Sequence, residues 1–138
     1  MEEDNKYFIP TIEDFYVGYE FEFQGIPKGW HKMVFSVEDN LKTFKYNIEH
    51  GYIRVPYLSK EQIEAEGWKY FSKYGKEQED KFHYNTFEKP NALYITYYYN
   101  SHTLTIHSDL YGDDQVFFDG ECKSINEFRY ICRLLNIK

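Results

Sequence analysis

The segment from Leu93 to Cys122 constrains the fold more than any other part of the chain. Leu93-Tyr94-Ile95-Thr96-Tyr97-Tyr98-Tyr99 is dense in β-branched and aromatic residues, which pack well on a pleated surface and lose rotamer freedom in a helix. Asn100-Ser101 supplies turn chemistry, and His102-Thr103-Leu104-Thr105-Ile106-His107-Ser108 returns. Asp109 to Asp114 turns the chain again, into Gln115-Val116-Phe117-Phe118-Asp119-Gly120-Glu121-Cys122. Three strands joined by short turns predict an antiparallel meander at the centre of the fold.

Composition agrees. Aromatic residues make up 21% of the chain, with 15 Tyr and 12 Phe, whereas Ala occurs only at Ala65 and Ala92. A core built from rings and branched aliphatics suits a sheet and disfavours a helix bundle. A chain of 138 residues is long enough to bury a core without disulfides or metal, and is expected to form one domain over 1–138.

The remaining elements follow from periodicity and caps. Val17, Tyr19, Phe21 and Phe23 alternate with Gly18, Glu20, Glu22 and Gln24, as in a half-buried strand. Gly25 to Gly29 turns into a returning strand from Trp30 to Phe35. Ser36 with Asp39 is placed to cap a helix carrying Val37, Leu41, Phe44 and Ile48 on one side, with Gly51 as its stop. A strand through Ile53 and Val55 ends at Pro56, which cannot donate in a ladder. Ser59 and Gln62 then form a capping box, Leu58 and Ile63 a hydrophobic staple, and Gly67 a terminator. Trp68 to Tyr74 resumes strand alternation, Gly75 to Asp80 is a polar loop, and Lys81 to Phe87 is a further strand. Ser124 and Glu127 open a last helix, with Ile125, Phe128, Ile131, Cys132 and Leu135 on one face and Asn126, Arg129, Arg133 and Asn136 on another. The expected fold is α+β: an antiparallel meander sheet of about six or seven strands, two or three helices, and the C-terminal helix packed on the sheet.

Charge and motif content exclude more functions than they support. A net charge of −7 repels nucleic acid and anionic membrane, and the lysines form no basic patch. The opening residues lack the pattern of a signal peptide, and no apolar run is long enough for a membrane helix, so a cytoplasmic protein is expected. Cys122 and Cys132 lack metal or redox spacing and read as free buried thiols. There is no phosphate loop, nucleophile elbow, H-E-x-x-H, calcium loop or RNP pattern. Glu20 and Glu22 share a strand face, which reads as the polar side of a sheet.

The histidines of the meander were the remaining chemical candidates. Alternation places His102 with Leu104 and Ile106, and His107 with Thr103 and Thr105 on the opposite face, so the pair cannot share one metal ion. The strings at His102 and His107 miss the hydroxyl position of a two-histidine phosphoesterase. His107 with Asp109, joined by His83 or Asp119, would form a metal or acid–base site, and an exposed strand histidine is the simpler reading. No catalytic residue, metal or cofactor is therefore assigned. Binding candidates are the acidic helix residues Glu61, Glu64 and Glu66, the tyrosines Tyr97 and Tyr99, and His107.

Three stretches carry a resemblance: YFIPTIEDFYVGYEFEF, YIRVPYLSKEQIEAEGW and FFDGECKSINEFRYICRLLNI. Together they resemble small uncharacterised proteins of gut-type Bacteroidetes and their phages, over most of the chain. The resemblance implies a phage or mobile-element context and brings no activity or site residue with it. Two functional expectations result. One is noncovalent binding to a host protein, as an inhibitor of an anti-phage defence (CRISPR-type) system whose acidic, Tyr-rich surface occupies a nucleic-acid groove. The other is a small-ligand or nucleotide-binding protein or a small enzyme, with a pocket between sheet and helices that uses His83, His107 or Glu22.

Overall fold

A computed structural model describes residues 6–110, 112 and 114–137. The chain divides into two compact units, Met1–Tyr57 and Leu58–Lys138. Both are built from antiparallel strands and helices, so the fold class is α+β, as alternation and composition predict. Among the described residues no helix is long and apolar enough to cross a membrane.

The first unit holds strands β1 (Tyr7–Phe8), β2 (Glu20–Gly25), β3 (Gly29–Val34) and β4 (Ile53–Pro56), in the order β1-β4-β2-β3, with helix α1 (Leu41–Glu49) between β3 and β4. Tyr19, Phe21, Ile53 and Val55 turn to one side and are buried with Phe35 and with Phe44 of α1. Phe15 sits among these rings, with its centroid 4.5 Å from Tyr19 and 4.6 Å from Phe44. α1 starts later than the Ser36–Asp39 signal predicts. The Asp39 carboxylate accepts from Ser36 N in a turn, and the cap is Asn40, whose Oδ1 accepts from Lys42 N and Thr43 N. Val37 consequently lies outside the helix and is exposed.

The second unit holds α2 (Lys60–Ala65), β5 (Lys69–Tyr70), α3 (Lys76–Phe82), β6 (Tyr84–Lys89), β7 (Leu93–Tyr98), β8 (Thr103–Ser108), β9 (Gln115–Glu121) and α4 (Ile125–Leu134). β5 to β9 form a meander in chain order. Phe87, Ile95, Ile106 and Phe118 stand side by side across β6 to β9, and Tyr97 and Leu104 extend this face. Ile63, Trp68, Ile125, Phe128 and Ile131 complete the core, so the C-terminal helix packs on the sheet as expected. Asn126, assigned to the polar face of that helix by its spacing, is buried beside the cap, with Nδ2 3.3 Å from Ser124 Oγ.

Two expectations are corrected. The sheet of six or seven strands is replaced, among the described residues, by nine strands in two sheets, and two or three helices become four. The polar loop predicted over Gly75 to Asp80 is helix α3, and the strand predicted over Trp68 to Tyr74 contracts to Lys69–Tyr70. α3 carries no apolar stripe because its one buried residue is Glu79, so hydrophobic periodicity gives no sign of it.

Candidate functional site: an acidic face around Tyr99

Helix α2 exists because Ser59 and Gln62 close a reciprocal cap: Gln62 N donates to Ser59 Oγ at 3.2 Å, and Ser59 N donates to Gln62 Oε1 at 3.1 Å. Ile63 is the helix's fully buried anchor, and Gly67, at φ 94°, takes the left-handed conformation just beyond its end. With Ile63 facing the core, Glu61 and Glu64 stand exposed. Glu61 also lies in the first turn, where a carboxylate interacts favourably with the free N–H groups of the helix.

Helix α3 brings a third carboxylate to the same region, this one buried. Glu79 is 2% exposed, and its Oε1 accepts from the Tyr70 hydroxyl at 2.6 Å and from Asn85 Nδ2 at 2.8 Å. Thr86 Oγ1 lies 3.5 Å from Glu79 Oε2, but its single proton goes to the closer Phe71 carbonyl, so the Glu79 contact is weak. Among the described residues Glu79 has hydroxyl and amide partners and no ammonium or guanidinium in hydrogen-bond contact. Asn85 passes the network on, its Oδ1 accepting from the Tyr99 hydroxyl at 2.6 Å. The chain of contacts runs Tyr99 to Asn85 to Glu79, with Tyr70 closing on the same oxygen. Asn85 and Thr86 are neighbours on β6 and point to opposite faces of the sheet.

The electrostatics follow from this packing. The Tyr99 phenol is pushed far above its ordinary value by burial first, and then by the negative charges of Glu61, Glu79 and Glu64. Tyr70 is raised chiefly by its hydrogen bond to Glu79. The Lys60 ammonium stands 4.2 Å from the Tyr70 ring centroid, a cation–π contact on the same rim. The result is a region where buried Glu79 is linked to the Tyr99 hydroxyl through Asn85, and the exposed Glu61 and Glu64 of α2 add negative charge that acts on the same tyrosine. It offers negative potential and amphipathic rings.

The candidates from sequence divide accordingly. Glu61 and Glu64 are exposed on α2, and their charges act on Tyr99. Glu66 does not join them: its Oε2 is paired with Arg129 of α4, at 3.2 Å from both Nε and Nη2. Tyr97 is corrected, because it is fully buried and its hydroxyl donates to the Cys122 carbonyl at 2.7 Å, which makes it part of the core. His107 is corrected as well. Alternation does keep His107 on the face opposite Ile106, cross-strand from Tyr94, but that face is covered there: the ring is 4% exposed, with Nδ1 2.9 Å from Asp114 Oδ1 and its centroid 5.7 Å from Tyr94. Asp109 pairs with Lys73 at 3.4 Å and Asp119 with Thr105 Oγ1 at 3.3 Å, so neither completes a site with His107. His83 ends α3 in the left-handed conformation at φ 56°. His102 occupies the β7–β8 turn at φ 54° and is not a strand residue. Among the described residues no group of three or more His, Cys, Asp and Glu could hold a metal ion.

Glu79, Tyr70 and Asn85 were missed by sequence reasoning. The usable signal was Gly75 followed by Glu77 and Glu79, a helix-start pattern with acidic residues in the first turn. No family model, curated protein or solved structure matches the chain. The functional reading therefore starts from the residues of the site itself.

Proposed function

We propose that this protein acts by noncovalent binding to another protein, with the acidic face around Tyr99 as its contact surface. The observation that carries the proposal is the hydrogen-bonded chain from Tyr99 through Asn85 to buried Glu79, together with the exposed acidic residues Glu61 and Glu64 of α2, whose negative charge acts on Tyr99. Such a patch complements a basic groove. Carboxylates steer the encounter and set register, while a tyrosine already fixed by its hydrogen bond gives contact area at little further cost in side-chain freedom. The charge of −7 acts in the same direction and works against nucleic acid as the partner. In the phage or mobile-element context of the sequence resemblance, the partner is a cytoplasmic host protein with a nucleic-acid groove. An effector of an anti-phage (CRISPR-type) system fits this description, and occupying its groove would inhibit it.

Affinity capture from host lysate tests the proposal, with mass spectrometry on both protein and nucleotide fractions. The expected result is a nucleic-acid-handling protein retained by the wild type and lost by the Glu61→Lys/Glu64→Lys variant. Recovery of a bound metabolite or nucleotide with no protein partner would instead favour the small-ligand alternative.

A further inference from the structure

The first unit carries a different kind of site, on the sheet face opposite its aromatic core. Register places Lys32, Glu22 and Arg54 in one row across β3, β2 and β4. Arg54 is clamped there. Its guanidinium carbon lies 3.5 Å from the Tyr7 ring centroid and 4.1 Å from that of Trp30, and its Nε donates to Glu22 Oε1 at 2.7 Å. These contacts set two aromatic rings against the guanidinium and a carboxylate on its Nε side. Nη1 and Nη2 make no hydrogen bond to any described residue, and the side chain keeps 25% of its surface open. Arg54 lines an open cleft of about 350 Å³ whose walls include Phe8, Ile9, Trp30 and Gly51.

A guanidinium fixed in this way can offer its remaining N–H groups only in its own plane, along the free edge. That edge matches two coplanar acceptor oxygens, which is the geometry of a carboxylate taken edge-on. Glu22 narrows the choice. Its carboxylate offsets one of the two cations in the row, Arg54 and Lys32, so the row carries a single net positive charge that a monoanion neutralises, and a dianion such as a phosphate monoester would feel more repulsion from Glu22 than a monoanion. The walls supply the rest of the specificity: Ile9 is 67% exposed and, with Phe8 and Trp30, suits an apolar body. Since the rings and Glu22 already hold Arg54, little side-chain entropy remains to be lost on binding.

We propose that this cleft binds a small aromatic or branched-aliphatic carboxylate, with its two oxygens on Nη1 and Nη2 of Arg54 and its apolar body against Ile9 and Trp30. Benzoate is a suitable probe, titrated into the full chain while the Arg54 side-chain and tryptophan indole resonances are followed by NMR. Saturable shifts are expected at Arg54 and Trp30 and not at buried Trp68. Benzyl alcohol, which lacks the charge, should bind at least about tenfold more weakly, and phenyl phosphate no more tightly than benzoate. Arg54→Lys keeps the charge, loses the fork and should weaken benzoate by at least about tenfold. If that variant does not fold, the wild-type comparison of benzoate with benzyl alcohol decides alone. An Arg54 that only rivets β1 to the sheet would give no saturable benzoate shift, or equal binding to the lysine variant, and either result overturns the proposal. Tighter binding of phenyl phosphate would overturn the choice of a carboxylate.

Discussion

Replacing Glu79 by alanine removes the acceptor on which the acidic face is organised. Oε1 takes two short hydrogen bonds, from Tyr70 and Asn85, and a hydrogen bond to a charged group contributes about 1.5–3 kcal/mol, so about 3–6 kcal/mol is at stake before relaxation. Tyr70 and Asn85 are only half-buried, and water reaching the hydroxyl and the amide returns part of this. The expected net loss is about 2–4 kcal/mol, a large share of the roughly 5–15 kcal/mol typical of a folded chain. Glu79→Gln separates acceptor from charge. Its amide oxygen can still receive both donors, so only the charge assistance is lost, at a cost of about 1 kcal/mol. Urea unfolding followed by far-ultraviolet circular dichroism and tryptophan fluorescence measures both variants against the wild type. The reasoning is refuted if the alanine variant lies within about 0.5 kcal/mol of the wild type, or if the glutamine variant loses as much as the alanine variant.

Other expectations follow from packing and titration. Phe128→Asp puts an unpaired charge into the core of the second unit and should cost several kcal/mol. Arg129→Ala breaks a partly exposed ion pair with Glu66 and should cost less than about 1 kcal/mol, so equal thermal melts for the two would show the helix register to be wrong. Burial pushes the Cys132 thiol up to about 11 and that of Cys122 further still. Neither should react with iodoacetamide near neutral pH until the chain is unfolded, and rapid labelling of native protein, seen by intact mass, would contradict this. Burial also holds His102 below the ordinary histidine value of about 6.5, against the opposing pull of Glu121. Between the folded and ordinary values the unfolded chain binds a proton that the folded chain does not, so this residue makes stability fall as pH drops below about 6.5. His102→Asn, which tolerates the left-handed turn, should lose less stability than the wild type between about pH 7.5 and about pH 5 in urea titrations. Equal losses would assign the acid sensitivity to other groups.

Much of the second unit was legible because its signals are local. The caps at Ser59 and Ser124 are each completed by the third residue of their own helix, and the strand sequences from Tyr84 to Glu121 alternate against immediate neighbours in the meander. The first unit was less so. β4 pairs with both β1 and β2, and nothing in the Ile53–Pro56 stretch states which distant strands flank it, so the division into two sheets was not visible. The candidate site was half legible. Glu61 and Glu64 follow from the wet side of a capped helix, but Tyr97 and Tyr99 look alike in a run of tyrosines and differ only in what covers them. Glu79 was hidden because a buried carboxylate appears in sequence as one more polar residue. His107 lies on the face that alternation predicts, but what covers that face, Asp114 and Tyr94 among others, is not readable from strand spacing.

The acidic face is tested most directly by the affinity of the captured partner protein for the wild type and for Glu61→Lys/Glu64→Lys, measured at low and physiological salt. Both glutamates are exposed, so the variant should keep the wild-type circular dichroism, with at most a small drop in melting temperature from reversing the charge of Glu61 in the first turn of α2. If the face makes the contact, wild-type affinity falls as salt rises, and the double reversal weakens binding by about 100-fold at low salt with most of its salt dependence gone. An unchanged affinity in the folded variant would contradict a contact surface built around Glu61, Glu64 and Tyr99.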